Sequence, residues 1–306
     1  MFNLNKVIYY LLMALMVQLG VLAIFMIFEN FSEEEKVAPL NVAVSTKSET
    51  PIIKSQLLNI KVEELSINTL EDALVHITPD SKDDIVRLDN KVVKPIIYTK
   101  SVKLDKLSIQ HKKETFIDML IPSILVAKHR ISKERKKVAK LLNVKELSAK
   151  ESLWLTKKRH IFKASDIDDL YAKMKLHPTS IVIAQAIIES GWGTSRFFEK
   201  ANNVFGIWSF NEHESRIAAS EKRGEKTVFL KKYKSMEESV YDYFLVLSTK
   251  DAYKEFRERR LESQDPFVLI EELGRYSELG KVYIENLKNT IEKNELLAYD
   301  SYRLDI

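Results

Sequence analysis

Apolar positions follow three different patterns along the chain. Val7 to Phe28 (VIYYLLMALMVQLGVLAIFMIF) is an uncharged run, long enough for a helix across a bilayer, which needs about 20 residues. From about Ser32 to Lys112 only short apolar pieces occur, such as Pro51-Ile52-Ile53 and Val92-Val93-Lys94-Pro95-Ile96-Ile97. Charged and Ser/Thr/Asn stretches separate them, and no sustained period or repeat emerges, so this region reads as a spacer with short strands or helices at most. From Glu114 onward helical spacing dominates. Ile117, Ile121, Ile124 and Leu125 share a face, with Pro122 marking a kink or a helix start. HRISKERKKVAK then reads as a solvated basic face. Ser235-Met236-Glu237-Glu238 has capping-box form, and Val240, Tyr243, Phe244 and Leu247 follow at i, i+3, i+4 and i+7. Asp265-Pro266 opens a helix that Gly274 suits as an end, and Ile284, Leu287 and Ile291 line another. Only Ser215 to Tyr233 departs from helical spacing: Thr227-Val228-Phe229-Leu230 favours a strand, and Arg223-Gly224 turns a small hairpin. The expected fold is mainly α (α+β), a helical domain with one β-hairpin.

Composition narrows the functions. With 48 Lys+Arg against 44 Asp+Glu, the net charge of +4 gives no case for nucleic acid, and no nucleic-acid motif is present. Cysteine is absent, which removes disulfides, thiolate catalysis and cysteine-based metal sites. The histidines form no HExxH, so neither a metal nor a cofactor is expected. Ser190 lacks the G-x-S-x-G setting of a serine hydrolase. The apolar run ends in Phe25-Met26-Ile27-Phe28 with no small-x-small cleavage site, which favours an uncleaved anchor over a signal peptide. The expected organisation is a short cytoplasmic tail at 1–6, an anchor at 7–28, a partly disordered spacer at 29–112 and a folded domain at 113–306.

The segment IAQAIIESGWGTSR carries the chemistry. Pro178 suits the first turn of a helix and Gly191 its end; between them Ile181, Val182, Ile183, Ala184, Ala186, Ile187 and Ile188 are apolar around almost the whole circumference. Gln185 and Glu189 are four apart and share a face, which Trp192 extends if the last turn persists. Apolar neighbours and the negative end of the helix dipole both disfavour an ionised Glu189 and raise its pKa. That suits a general acid for a glycosidic oxygen. It suits equally a buried group held by an ion pair or hydrogen bonds, and spacing alone does not choose between these roles.

AQAIIESGWGTSRF, followed by Asn202-Asn203-Val204-Phe205-Gly206-Ile207-Trp208, closely resembles glycoside hydrolase family 73, and within it the Bax-like proteins of Gram-negative bacteria. The resemblance runs from about Glu114 to Leu297 and takes in YKSMEESVYDYFLVL, AYKEFR and RYSELGKVYIENLKN in family order. It implies a lysozyme-like fold, hydrolysis of peptidoglycan glycan strands as an endo-β-N-acetylglucosaminidase, and Glu189 as catalytic acid. Tyr276 and Tyr283 match tyrosines near the family's cleft; a buried ring with a satisfied hydroxyl is the plainer role. Gln185, Trp192, Asn202, Asn203 and Trp208 are candidates for substrate contact, although asparagines also make turns and the rings of Phe205 and Tyr243 suit a core. With only Lys6 and the amino terminus on its short side, the Val7–Phe28 run reads as a single-pass anchor with the bulk of the chain outside the cytoplasm, which in a Gram-negative bacterium is the inner membrane with the domain in the periplasm.

Glycoside hydrolysis usually uses a second carboxylate. The family places one on the β excursion, where Glu225 is the first choice and Glu221 the second, ahead of Glu212 and Glu214. The Bax-like pattern diverges here and lacks the paired cysteines often seen, so assistance by the substrate's acetamido group is an equal option. A lytic transglycosylase and a non-catalytic peptidoglycan-binding scaffold are the alternative functions.

Overall fold

The computed structural model describes residues 69–223 and 226–306, with side chains omitted over 220–226; the expected anchor Val7–Phe28 lies outside the described residues. No helix among the described residues is long and apolar enough to cross a membrane.

Short elements come first: helix α1 (Thr69–Ala73) and strands β1 (Val75–Ile77), β2 (Val92–Val93) and β3 (Ile96–Tyr98). β1 and β3 pair in parallel, with Val75 opposite Ile96 and Ile77 opposite Tyr98. β2 pairs in parallel with β6 (Arg303–Leu304), near the other end of the chain. The long helix α2 (Ile109–Leu141) opens on Ser108, whose hydroxyl accepts from the His111 amide. It passes through Pro122 without interruption. The missing N–H costs one intrahelical bond, but Thr115 through Ala127 are buried on all sides and hold the segment helical. Beyond them Ile131, Val138 and Leu141 are buried and Lys133, Lys136, Lys137 and Lys140 are exposed, while Arg130 and Arg135 of the same basic stretch are part-buried, Arg130 against Glu237 and Arg135 against Tyr171.

Helices α3 (Ala149–Ile161) and α4 (Ile167–Lys173) lead to α5 (Thr179–Ser190) and α6 (Arg196–Ala201). The antiparallel hairpin β4 (Arg216–Arg223) and β5 (Lys226–Lys231) is the predicted β excursion; its register shifts between Ala218 and Lys222. Helix α7 (Met236–Thr249) starts where the capping pattern placed it: Ser235 Oγ accepts from the Glu238 amide at 3.2 Å. The Glu238 carboxylate receives Lys234 N instead of closing the box on Ser235. Helices α8 (Lys254–Glu262), α9 (Pro266–Ile270) and α10 (Lys281–Lys293) complete the order. Asp265 caps α9, but α9 ends at Ile270 and continues as a 3-10 turn, Glu271–Tyr276, so Gly274 lies inside that turn rather than at a helix end. The result is mainly helical with three two-stranded sheets among the described residues.

The spacer boundary is corrected. Ile85, Val93, Ile96, Tyr98, Val102 and Leu104 belong to the same buried cluster as Phe116, Ile183, Tyr243 and Leu287. Residues 75–104 are thus part of the domain expected to begin at 113. Their ladders are two or three residues long and pair with distant chain, so no local period betrays them. A fully buried apolar side chain contributes about 1.5–3 kcal/mol, and this stretch supplies several. A fragment starting at residue 113 is therefore expected to lose cooperative thermal unfolding, followed by near-ultraviolet circular dichroism, where one starting at residue 69 keeps it.

Candidate active site

Helix α5 is enclosed by protein: every residue from Thr179 to Ile187 is buried. Pro178 stands at its N-cap, just outside the first turn, and gives no side-chain cap. Asp300, from the 3-10 turn Leu296–Ser301, does so from elsewhere in the chain, accepting Ser180 N and Ser180 Oγ, both at 2.8 Å. A carboxylate there satisfies open amides and complements the positive end of the helix dipole. At the other end Gly191 is left-handed (φ 58°, ψ 49°) and stops the helix as predicted. Trp192 is left-handed as well, at φ 59°, so the helical line through Gln185 and Glu189 is not extended to it. Ser190 Oγ donates to Ala186 O at 2.6 Å and accepts from Gly193 N at 2.9 Å, pinning the turn. At Gly193 (φ 72°) a Cβ would lie 2.7 Å from Leu104 Cδ1 and 2.8 Å from Phe116 Cδ2, so only glycine fits.

The polar face of α5 is closed by one hydrogen-bond chain. Tyr283 OH from α10 donates to Glu189 Oε1 at 3.0 Å. Gln185 Nε2 donates to Tyr283 OH at 3.0 Å, and Tyr243 OH from α7 donates to Gln185 Oε1 at 2.6 Å. His177 Nε2 lies 3.0 Å from Tyr243 OH at the far end. Tyr276 stacks on Tyr283 at 5.7 Å, nearly parallel, and Tyr253 packs against Tyr276 at 5.8 Å.

Protein surrounds the Glu189 carboxylate densely, although the residue keeps some surface in solvent. Desolvation drives its pKa from the ordinary carboxylate range up to about 7, against the Tyr283 hydrogen bond, which favours the anion. Burial, and after it the Glu189 charge, pushes the hydroxyls of Tyr253, Tyr276 and Tyr283 above the usual phenol range. All three stay neutral near neutral pH, and Tyr283 is the one that donates to Glu189. A protonated carboxyl group with one edge open is thereby held among neutral rings, an arrangement suited to donating a proton.

The other expected site residues separate. Tyr283 bonds Glu189 directly, Gln185 reaches it through Tyr283, and Tyr276 supports Tyr283 by stacking. Trp192 is half-buried beside the turn, edge-on to Phe116 at 5.8 Å, with Lys113 Nζ 4.7 Å from its ring centre. Asn202 and Asn203 are corrected from substrate contacts to structural ones. Asn202, left-handed at φ 50°, donates from Nδ2 to Thr99 O and Tyr233 O. Asn203 donates to Ile207 O and Lys231 O and accepts from Ile207 N. Both amides are buried and spent on loop backbone. Trp208 is buried at the hairpin base, bridged to Leu230; the ring next to it, Phe210, stacks on it at 6.4 Å and is 60% exposed. Glu225 lies outside the described residues, as does the Glu221 side chain. Glu212 reaches Arg216 at 4.0 Å and Glu214 reaches Lys231 at 3.7 Å. Sequence reasoning missed the hydroxyl role of Tyr243, whose ring is core as expected, stacked on Phe205 at 4.1 Å. It also missed His177 and Tyr253, which local spacing does not connect to Glu189.

A helical domain with a buried, tyrosine-lined carboxyl group at the end of its central helix is the class this geometry defines. Residues 164–296 match the model of the glucosaminidase family, whose description is mannosyl-glycoprotein endo-beta-N-acetylglucosaminidase. Among curated relatives, Protein bax of Escherichia coli (strain K12) is 32% identical over 134 residues, covering 42% of this chain and 47% of that protein. Exo-glucosaminidase LytG of Bacillus subtilis (strain 168) is 31% identical over 149 residues, covering 43% and 49%. The chain thus spans about half the length of the curated relatives it matches. Among solved structures, the catalytic domain of the autolysin Auto from Listeria monocytogenes aligns at 22% identity and a TM-score of 0.35, over 54% of this chain and 96% of that one.

Raising the pKa of Glu189 from 4.5 to about 7 makes its protonated form a stabilising contribution, full below the unfolded value and lost as pH rises through 7. The shift corresponds to about 3 kcal/mol, trimmed to about 1–2 kcal/mol by the solvent at its outer edge. Glu189→Gln is therefore expected to exceed the wild type in stability at pH 8 and to lose that advantage at pH 4, read from denaturant midpoints at the two pH values.

Proposed function

We propose that the protein is a peptidoglycan hydrolase, an endo-β-N-acetylglucosaminidase in which Glu189 is the general acid. The observation that carries this reading is the Glu189 carboxyl group, held protonated to about pH 7 at the end of α5 inside the glucosaminidase-family segment. The name of one relative, an exo-glucosaminidase, points to the same substrate class.

In the reaction, Glu189 gives its proton to the glycosidic oxygen as the bond to the N-acetylglucosamine C1 breaks, and the leaving sugar departs with a hydroxyl group. Tyr283 holds the carboxylate that remains, its hydrogen bond strengthening as charge appears on Oε1. Positive charge at C1 is met by a hairpin carboxylate, with Glu225 first and Glu221 second, or by the substrate's acetamido oxygen. Water then completes hydrolysis, and the carboxylate regains a proton. Trp192 and Phe210 offer half-buried and exposed ring faces of the kind that stack on sugars. Val7–Phe28 is proposed as a single-pass anchor in the inner membrane, placing the domain at peptidoglycan in the periplasm.

Purified full-length chain is expected to release reducing N-acetylglucosamine ends from isolated peptidoglycan, and Glu189→Gln to lower kcat by about 10²–10⁴-fold. The alkaline limb of wild-type kcat should fall near pH 7, where the acid loses its proton. Equal release by the variant, or none by the wild type, would sink the assignment. Anhydro-muramyl ends would identify a lytic transglycosylase instead.

A further inference from the structure

The chain from His177 to Glu189 has two self-consistent proton arrangements, and it can adopt only one at a time. Each tyrosine hydroxyl in it has two neighbours and a single proton, while the Gln185 amide is an acceptor on one side and a donor on the other. In the outward arrangement His177 Nε2–H donates to Tyr243, Tyr243 to Gln185 Oε1, Gln185 Nε2 to Tyr283 and Tyr283 to Glu189 Oε1. In the inward arrangement every donor reverses: Glu189 donates its own proton to Tyr283, and Tyr243 donates to an unprotonated His177 Nε2. Gln185 turns Oε1 to Tyr243 and Nε2 to Tyr283, as the outward arrangement requires.

His177 discriminates between the two. Its ring is buried, enclosed by Tyr243, Phe244 and Phe256, and Nδ1 has no hydrogen-bond partner. Outward order leaves Nδ1 as a bare lone pair; inward order would place an orphaned N–H there, and buried orphaned N–H groups are rarer than under-satisfied acceptors. The charged and titratable groups facing the ring are Arg260 from α8, Lys128 from α2 and Tyr243 from α7. With burial, the two cations keep the imidazole neutral and so exclude a proton on both nitrogens.

We propose that His177 is a positioning residue that sets the polarity of this chain and thereby assigns the acid proton of Glu189 to Oε2, the oxygen not bonded to Tyr283. In the inward arrangement that proton would be spent on Tyr283, pointing away from a glycosidic oxygen. The catalytic consequence rests on the proposed hydrolase reading; the polarity does not.

The test uses full-length chain labelled with ¹⁵N-histidine and with ¹³C at the glutamate carboxyl carbons. Long-range ¹H–¹⁵N spectra should show His177 protonated at Nε2 and bare at Nδ1 from pH 5 to pH 8. A proton on Nδ1, alone or with Nε2, overturns the proposal without any variant having to fold. His177→Phe removes the directing donor, freeing Gln185 to turn and Tyr283 to leave Glu189. The Glu189 titration should then move up by about half a pH unit or more, and kcat should fall about fivefold or more at pH 6 with KM unchanged. His177→Gln, which can present an amide N–H near the Nε2 position, should restore both. An unmoved titration in His177→Phe, or a Gln variant as impaired as Phe, counts against the proposal. The expected tautomer in the wild type and the expected titration shift in His177→Phe, with no release of glycan ends by the wild type, would refute the hydrolase reading and leave the polarity standing.

Discussion

A helix buried on every side has to satisfy its polar side chains from within the protein, and α5 has two on one face. Leaving Gln185 unbonded there would cost a few kcal/mol, and an unpaired carboxylate more. Two helices meet that demand. Tyr243 reaches in from α7 and Tyr283 from α10, each with its ring in the core and its hydroxyl on the polar face. The placement of α7 and α10 against α5 is therefore a condition of chemical satisfaction as well as of packing. Asp300 completes the logic at the opposite end by capping α5 from the C-terminal part of the chain.

The same enclosure that makes α5 central also raises the pKa of Glu189. Its carboxylate is disfavoured by desolvation and supported by a single hydrogen bond, and desolvation wins, leaving a group that is protonated near neutrality. Had an arginine or lysine been placed against it, the anion would have been favoured and the proton unavailable. Neutral tyrosines are the alternative that fills the space, donates one hydrogen bond and leaves the pKa high. Burial and the Glu189 charge hold the Tyr276 and Tyr283 hydroxyls neutral, so neither ionises in place of Glu189 near neutral pH.

How much of this was legible in the sequence depended on how local each cause is. The end of α5 at Gly191, the start of α7 at Ser235, the start of α9 at Asp265 and the hairpin are set by neighbours in the chain, and they were readable. Residues 75–104 were not, because β1 and β2 are stabilised by partners at 96–98 and 303–304 rather than by any period of their own. The site divides in the same way. Gln185 and Glu189 are one turn apart and announced themselves, whereas His177, Tyr243 and Tyr253 approach only through the tertiary fold. Asn202 and Asn203 misled for the converse reason: an exposed-looking polar pair after an aromatic helix suits sugar contact, yet their amides bind backbone carbonyls that no local pattern exposes.

The short segment after Glu189 concentrates unusual backbone, with Gly191, Trp192 and Gly193 all left-handed in succession. A non-glycine residue in that region is disfavoured, the more so when its side chain is bulky. What holds it is the packing at either side: Ser190 clamps Gly193, and the ring edge of Phe116 and the ammonium of Lys113 lie against Trp192. Leu104 fits against the bare face of Gly193, which ties the turn to the stretch expected to be spacer. The placement of Glu189 therefore depends on residues far ahead of the segment that matches the glucosaminidase model, because the turn that ends its helix is wedged by them. A domain cut at the family boundary would retain Glu189 and lose part of the surface that positions it.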